Sequence, residues 1–600
     1  MSVLRSIRPV LAGLCLSLAL ALPAAADYLS RPFADDTMYF LVLDRFAKND
    51  GDGAALPAVD PANPRYFHGG NLRAAAAKLD YIKGLGATAI WMTPIFVNQL
   101  YAGDRPDQAG STGYHGYWIL DFLHVDPHFG SEDDLKFLIA EAHKRDIKVF
   151  FDIVVNHTGD VIKYRECGEE RCSYRSKADF PYSRRAADGK PINPGFLGDT
   201  LETGENFAKL TDMSYAYTPY LPAGKEHAKN PDWLNDIRYY HNRGFTTFKG
   251  ESATYGDFGG LDDVFTENPR VVRGFIDIYQ YWIDTFHIDG YRIDTAKHVN
   301  VEFWQTFNPA ILDFAKSRGI PNFFIFGEVA DFSDDSVMLA QFTHEAKFPG
   351  SLDFAFTDEV TRLAAGQGDA AKTFAHIFQA DSLFEGGREG ANNQPIFVSN
   401  HDDGRLAYKI RKLVPDMKSE ELMARVRLAH ALMFFSRGVP ILYYGDEQGF
   451  IGTGDDSKSR QDMFPTKVAA YAEEEKLGAP RDLASGGDHF DPNHPLYKAF
   501  AEMGALRNRF ATLRRGQFVL RPNGAAGLIA FERIDPATGE EFLVAVNTTT
   551  APRDAAVEVG YGALDWHGEH GACSAHAATA GSYQVSVPAL DYVVCSAKGK

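Results

Sequence analysis

The chain has 600 residues, 45% of them hydrophobic and 24% charged, with a formal net charge of −19 at pH 7. Such a length buries a large core and leaves room for one big domain with smaller ones. The composition excludes a disordered chain, and the acidic balance excludes nucleic acid or an anionic membrane surface as a partner.

Residues 1–26 read as a cleavable secretory signal peptide. Arg5 and Arg8 precede the apolar run VLAGLCLSLALALPAAA, and Ala24-Ala25-Ala26 forms a cleavage site before Asp27. Without the leader, 59 Lys and Arg face 80 Asp and Glu, a net charge of −21. No later stretch has the length of uncharged apolar residues that a membrane span needs, so export to the periplasm or the medium is expected. Cys15 falls in the leader. Of the four remaining cysteines, Cys167 and Cys172 sit close together in a polar loop, and Cys573 and Cys595 sit near the end of the chain. In an exported protein these spacings predict two local disulfides. Zinc is the alternative, but neither pair has the C-x-x-C spacing.

Eight short apolar runs, rich in β-branched and aromatic residues, follow one another: MYFLVL (38–43), TAIWMTP (88–94), KVFFDIV (148–154), FHIDGYRI (286–293), FFIFGE (323–328), SLDFAF (351–356), PIFVSN (395–400) and VPILYY (439–444). Between them lie amphipathic segments of helical spacing. SEDDLKFLIAEAHKRD (131–146) opens on a Ser N-cap with acids in its first turn, and ENPRVVRGFIDIYQYWIDTF (267–286) is another. Strands alternating with helices predict an α/β fold, a (β/α)8 TIM barrel, over 27–156 and 263–512. A doubly wound open sheet is the alternative. It would usually carry a Gly-rich phosphate turn after the first strand, and none is there. The stretch between the third strand and the helix before the fourth is too long for a structureless loop, so 157–262 reads as an inserted small domain. After RNRFATLRRGQF (507–518) the texture changes to apolar runs punctuated by turns, such as GLIAFERI and EFLVAVNTT, which predicts a C-terminal antiparallel β-sandwich over 513–600.

In such a barrel, chemistry collects at the C-terminal ends of the strands. Asp294 ends the fourth strand in HIDGYRIDTAKH (287–298), Glu328 ends the fifth in FFIFGEV, and Asp402 follows the seventh in FVSNHDDGR. Three carboxylates would converge there. Like charges in a shielded site repel and push one pKa upward, so one carboxyl can serve as acid while another stays an ionised nucleophile. Arg292 would supply the cation that keeps Asp294 ionised. The bland alternative is a structural Arg292–Asp294 ion pair at the rim, and acids at two further strand ends weigh against it. By the same weighing, His157 could be a mere cap, and Tyr117 and Trp118 mere core aromatics.

Here the motifs add up. DIVVNH (152–157), GYRIDTAKH (290–298), GEV (327–329) and NHDD (400–403) occur in order, with GYHGYWILDFLHVDPHFG (113–130) beside them. From residue 38 to about 465 the chain resembles the α-amylase family, glycoside hydrolase family thirteen, and within it the secreted bacterial α-amylases. The resemblance implies retaining hydrolysis of α-1,4-glucosidic bonds in starch or maltooligosaccharides by double displacement. Asp294 would be the nucleophile, Glu328 the general acid and then base, and Asp402 a binder of sugar hydroxyls. Arg292, His157 and His401 would orient the sugar at the cleavage point, and Tyr117 would stack on it with Trp118 and Asp121 in support. Lys297 and His298 would face the leaving group. The resemblance also implies calcium, held by Asn156, an Asp matching Asp263 and the backbone carbonyl of His298, all hard oxygens. The family's LPDL-type stretch reads LDDV here (261–264), so Asp262 competes with Asp263. A second calcium could sit at NDGDG (49–53), on Asn49, Asp50 and Asp52, though such a cluster is also a plain turn. The expected partner is an α-glucan, and the expected state a monomer. Alternatives are an exo-acting maltogenic amylase, an α-glucosidase, an α-glucan transglycosylase, or a non-catalytic carbohydrate-binding homologue.

Overall fold

The computed structural model describes residues 28–49, 56–103, 110–167, 171–330, 336–479 and 487–598. The leader read at 1–26 lies outside these residues, as do Asp50 and Asp52.

Eight parallel strands form the barrel: β1 (Met38–Leu41), β2 (Ala89–Met92), β3 (Lys148–Ile153), β4 (Gly290–Ile293), β5 (Phe324–Gly327), β6 (Gly350–Ser351), β7 (Pro395–Ile396) and β8 (Val439–Tyr443). Neighbours in the chain pair as neighbours in space, and β8 returns to β1. A parallel bridge between Asp353 and Ile396 joins the last two edges. The strands are apolar along almost their whole length because helices cover the outside while side chains fill the inside. The helices obey their end signals. Glu132–Lys144 starts at Ser131, whose side chain and that of Asp134 make a reciprocal capping box. Pro269–Phe286 starts at the Asn268 cap and stops where His287 turns left-handed.

The sixth strand departs from its reading. Only Gly350–Ser351 is extended, and a helix begins at Phe354 (Phe354–Ala364). Asp353 decides this. Its Oδ1 accepts the Phe356 amide as a helix cap, while Oδ2 meets Arg437 at 2.8 Å. An acid that reads as a strand interruption is in fact a helix start.

Register then places the chemistry. Arg292 on β4 lies beside Asp152 on β3 and Phe326 on β5. Strand side chains repeat every two residues, so Asp294 and Glu328, two residues beyond Arg292 and Phe326, emerge above Arg292 on the same inward side. The amides of Asp294 and Glu328 bond the last carbonyls of the preceding strands, at Ile153 and Ile293, both at 2.9 Å.

The long segment after β3 carries its own apolar cluster, with Tyr182, Phe207, Met213 and Tyr215 at its centre, and the Cys167–Cys172 disulfide. It joins the barrel through His157–Thr158 paired with Asp262–Asp263. The C-terminal region has a five-stranded antiparallel sheet and a two-stranded one. Along Glu541–Asn547, Phe542, Val544 and Val546 face the barrel core, whereas Leu543 and Ala545 face a second core with Val557 and Trp566. Burial on both faces explains why that strand lacks the usual polar alternation. Cys573–Cys595 ties this sheet. Among the described residues, no helix is long and apolar enough to cross a membrane.

Candidate active site

Arg292 organises the barrel mouth. Its Nη1 lies 2.8 Å from Asp152 Oδ1 and 2.9 Å from Asp294 Oδ1, and its Nη2 lies 3.0 Å from Glu328 Oε2. The guanidinium is 1% exposed and packs over the Trp91 ring. A buried cation of this kind persists only with anions around it. Planar, with donors fixed in a fork, arginine holds carboxylates at two nitrogens in set directions, whereas lysine would gather them on a single flexible one.

The next residue but two is strained. Thr295, β-branched, adopts φ 49°, a backbone region that such residues avoid. This conformation directs its amide to Glu328 Oε2 at 2.9 Å. Strain at one residue thus fixes the orientation of a neighbouring strand's acid.

Asp402 comes from the loop after β7. Arg460 Nη2 meets its Oδ1 at 2.8 Å and also grips the His401 carbonyl through Nε. The Asp402 amide bonds Asn400 Oδ1. Its side chain is 46% exposed, the most open of the three acids. Tyr117 donates its hydroxyl to Asp152 Oδ2 at 2.9 Å and lies 2.8 Å from His401 Nε2. Burial drives the His401 pKa down to about 3, so the ring is neutral. With Tyr117 Oη already donating to Asp152, Nε2 must carry the His401 proton, shared between Tyr117 Oη and Asp402 Oδ2 at 3.1 Å. His157, also kept neutral by burial with a pKa of about 4, bonds the Tyr117 carbonyl through Nε2.

The acids separate electrostatically. Burial raises Glu328 to about 7 even against the pull of Arg292, with Asp294 and Asp402 adding repulsion. Burial also raises Asp152 to about 7 and lifts Asp294 above the ordinary aspartate value, with Arg292 opposing both. Burial would lift Asp402 too, but His401 beside it, then Arg460 and Arg292, outweigh it and hold its carboxyl below the ordinary aspartate value. At neutral pH one carboxyl of the cluster can carry a proton while another is ionised, which is what paired acid–nucleophile chemistry requires.

A cavity of about 920 Å³ lies between the loop after β2 and the segment after β3, lined by Trp118, Tyr164, Tyr220, Phe245 and Phe258 among others. His298, beyond Asp294, donates its Nδ1–H to the Ala253 carbonyl at 2.7 Å, and Lys297 Nζ donates to the Ala330 carbonyl. Asp121 meets none of the three acids in a hydrogen bond or ion pair among the described residues. It lies on the strand Ile119–Val125 and is engaged by Asn230 Nδ2 and His124 Nδ1, both at 2.8 Å.

The arrangement and its relatives agree. The family described as "Alpha amylase, catalytic domain" matches residues 40–483. The chain belongs to the α-amylase family. It is 42% identical to an α-amylase of Streptomyces lividans over 543 residues, 90% of this chain and 58% of that protein, so it spans little more than half of that relative's length. It is 29% identical to a cyclomaltodextrin glucanotransferase of Klebsiella oxytoca, over 74% of this chain and 64% of that one. The crystal structure of an α-amylase from Geobacillus thermoleovorans, complexed with acarbose, superposes with a TM-score of 0.66 at 27% identity, covering 95% of this chain and all of that one.

Three residues central to this cluster escape a reading by strand ends. Asp152, which opens DIVVNH inside a strand and not at its end, anchors Arg292, Tyr117 and Trp91. Arg460, in SRQDMF, and Trp91 carry no local signal.

The calcium oxygens can be tested for fit. Asn156, Asp263 and the His298 carbonyl are an amide, a carboxylate and a carbonyl, the hard donors that calcium takes. Asp262 is already spent on Lys229 Nζ at 2.6 Å and on the amides of Val161 and Ile162. Of the competing pair, Asp263 is the one left to turn to a metal, although it is shared with His241 Nδ1 at 2.6 Å. This set contains one acid. Among the described residues no group of three or more His, Cys, Asp or Glu side chains is arranged to hold a metal. Asn49 lies at the edge of the described chain and its two expected partners lie outside it.

Proposed function

We propose that the protein hydrolyses α-1,4-glucosidic bonds of starch or maltooligosaccharides with retention, outside the cytoplasm, in the roles the family resemblance implies. The observation that carries the reading is the Arg292 fork, which holds Asp294 on one nitrogen and Glu328 on the other. A retaining mechanism needs the two carboxyl groups roughly 5–5.5 Å apart, with Glu328 as acid and Asp294 as nucleophile, and the shared guanidinium keeps both acids at the same end of the barrel. Asp294, paired with Arg292, attacks the anomeric carbon. Glu328, protonated near neutrality, gives its proton to the departing oxygen and then takes one from water. Asp402 binds hydroxyls of the sugar held between Tyr117, His157 and His401, tightening as the ring becomes oxocarbenium-like. A second reading, glycosyl transfer, is favoured by the similarity to the Klebsiella oxytoca glucanotransferase.

Release of reducing sugar from soluble starch tests the reading directly, and its absence removes it. The pH profile tests the roles. Glu328 must be protonated to act as acid, so kcat/KM for starch falls as pH rises through about 7. Asp294 must be ionised, so activity also falls with acid, at a pH above the ordinary aspartate range. On a nitrophenyl α-maltoside, whose leaving group needs no proton, replacing Glu328 removes the alkaline limb. If that limb persists in the Glu328 variant, it belongs to another group such as Asp152.

Calcium belongs to the same proposal. Asn156, Asp263 and the His298 carbonyl would hold it where the segment after β3 meets the barrel, and its chemistry there is charge neutralisation that locks the seam. Metal bound only by the native state adds stability by mass action, so a chelator is expected to lower the melting temperature. An unchanged melting temperature in calcium-depleted protein would remove the metal from the account.

A further inference from the structure

Two arginines far from the acid cluster carry charge that no carboxylate answers. Arg507, on the helix Pro495–Arg509, and Arg533, on the strand Leu528–Ile534, are both 0% exposed. Among the described residues their hydrogen-bond partners are all neutral. Arg507 donates to the carbonyls of Ala34, Phe434, Gly438 and Leu513. Arg533 Nη2 donates to the Arg514 carbonyl at 2.8 Å and to Asn392 Oδ1 at 3.1 Å. Arg507 Nε, Arg533 Nε and Arg533 Nη1 are buried with no partner among these residues. A guanidinium does not shed its proton at neutral pH, and a buried charge is costly unless an opposite one stands beside it.

The acids nearby are already engaged. Arg437 holds Asp353 and Asp381, each at 2.8 Å, and Arg514 and Arg515 share Asp35. The titration follows the pairing. Burial, then the charge of Arg514, pulls Arg507 down to about 9, and burial, then Arg507 and Arg437, pulls Arg533 down to about 9. Arg437, with its two acids, moves the opposite way.

The place is a seam. Arg507 and Arg533 donate to adjacent carbonyls, those of Leu513 and Arg514, in the turn between the last barrel helix and the C-terminal sheet. In that sheet Arg533 lies directly across from Phe518 and Phe542, on the side that packs on the barrel. The Ala34 and Gly438 carbonyls precede β1 and β8, so the pair sits at the N-terminal end of the barrel, opposite the acids.

We propose that this seam binds a small monovalent anion of the chloride class, held on the free N–H groups of Arg533 with Arg507 as the second positive charge. Free donors on fixed cations select an anion over a metal or a neutral sugar. The phenylalanines around Arg533 select a single charge, because a divalent anion loses more hydration on entering such a site. The anion fastens the C-terminal sheet to the barrel and takes no part in catalysis.

The test exchanges sodium gluconate for sodium chloride at fixed ionic strength. The wild-type melting temperature rises with chloride and saturates, by about 2 °C at a hundredfold excess over Kd, while starch hydrolysis well below melting is unchanged. Arg533→Met, which keeps the stem and drops the charge, loses the response and hydrolyses starch as wild type does. In wild-type crystals grown with bromide, an anomalous peak lies within hydrogen-bond distance of the Arg533 guanidinium, a result that needs no variant to fold. A wild-type melting temperature indifferent to the exchange, a response that persists in Arg533→Met, or a guanidinium with no bromide beside it overturns the site. A bromide there without the melting response is an adventitious ion only and overturns it as well.

Discussion

Glu328→Ala is expected to slow starch hydrolysis by about 10³ or more, while an activated substrate still forms the glycosyl-enzyme. Removing the carboxyl takes away the proton that a sugar leaving group requires. A nitrophenolate or fluoride departs without it. The second step then stalls, because no base is left to activate water. Azide needs no base, so adding it restores turnover and yields an α-glycosyl azide, the configuration of net retention. Asp294→Ala differs in kind. Without a nucleophile no intermediate forms, and azide attacking directly gives the β-azide. Proton NMR of the two products separates the roles: a β-azide from Glu328→Ala, or an α-azide from Asp294→Ala, would mean they are exchanged.

Arg292→Leu is expected to cost both fold and activity. The guanidinium is buried and contacts Asp152, Asp294 and Glu328. Removing the cation leaves buried carboxylates uncompensated, a loss of about 3–5 kcal/mol for a broken buried pair. The loss has a pH signature. Asp152 and Glu328 already titrate near 7 with Arg292 in place, and without it their folded pKa values go higher still. A carboxyl whose folded pKa exceeds its unfolded value supports the fold when protonated, and that support is lost as pH rises through the folded value. The gap in melting temperature between wild type and Arg292→Leu therefore stays level below about pH 7 and widens above it, between the wild-type folded values and the higher ones of the variant. Arg292→Lys restores charge but not the fork, so it recovers more stability than activity. A gap that stays constant with pH would show that the loss is one of packing alone.

Asp294 and Glu328 were legible as candidates because each closes a strand, and strand ends are visible in GYRID and FIFGE as the point where an apolar run meets charge, whereas Asp402 lies in the loop beyond β7. The barrel was legible for the same reason, and the inserted segment from its length. Asp152 was not, because its role depends on the register that sets it beside Arg292. Arg460 was not, because 58 residues separate it from Asp402 and only the turn after β8 brings it back. The sixth strand misread because SLDFAF is apolar at both periods, and the Asp353 cap with its Arg437 partner settles it as a helix start. Asp121 sits in an aromatic-rich motif, but its partners His124 and Asn230 hold it on the strand Ile119–Val125.

The central claim is that Asp294 forms a covalent bond to sugar while Glu328 moves the proton. A fluorinated α-glucosyl fluoride that forms the intermediate quickly and releases it slowly can trap that bond, and mass spectrometry of the digested protein locates it. The account predicts a single added glycosyl mass on the peptide containing Asp294, absent in Asp294→Ala. A label on the peptide of Glu328 or Asp402, or inactivation-free turnover with no labelled peptide at all, would contradict it.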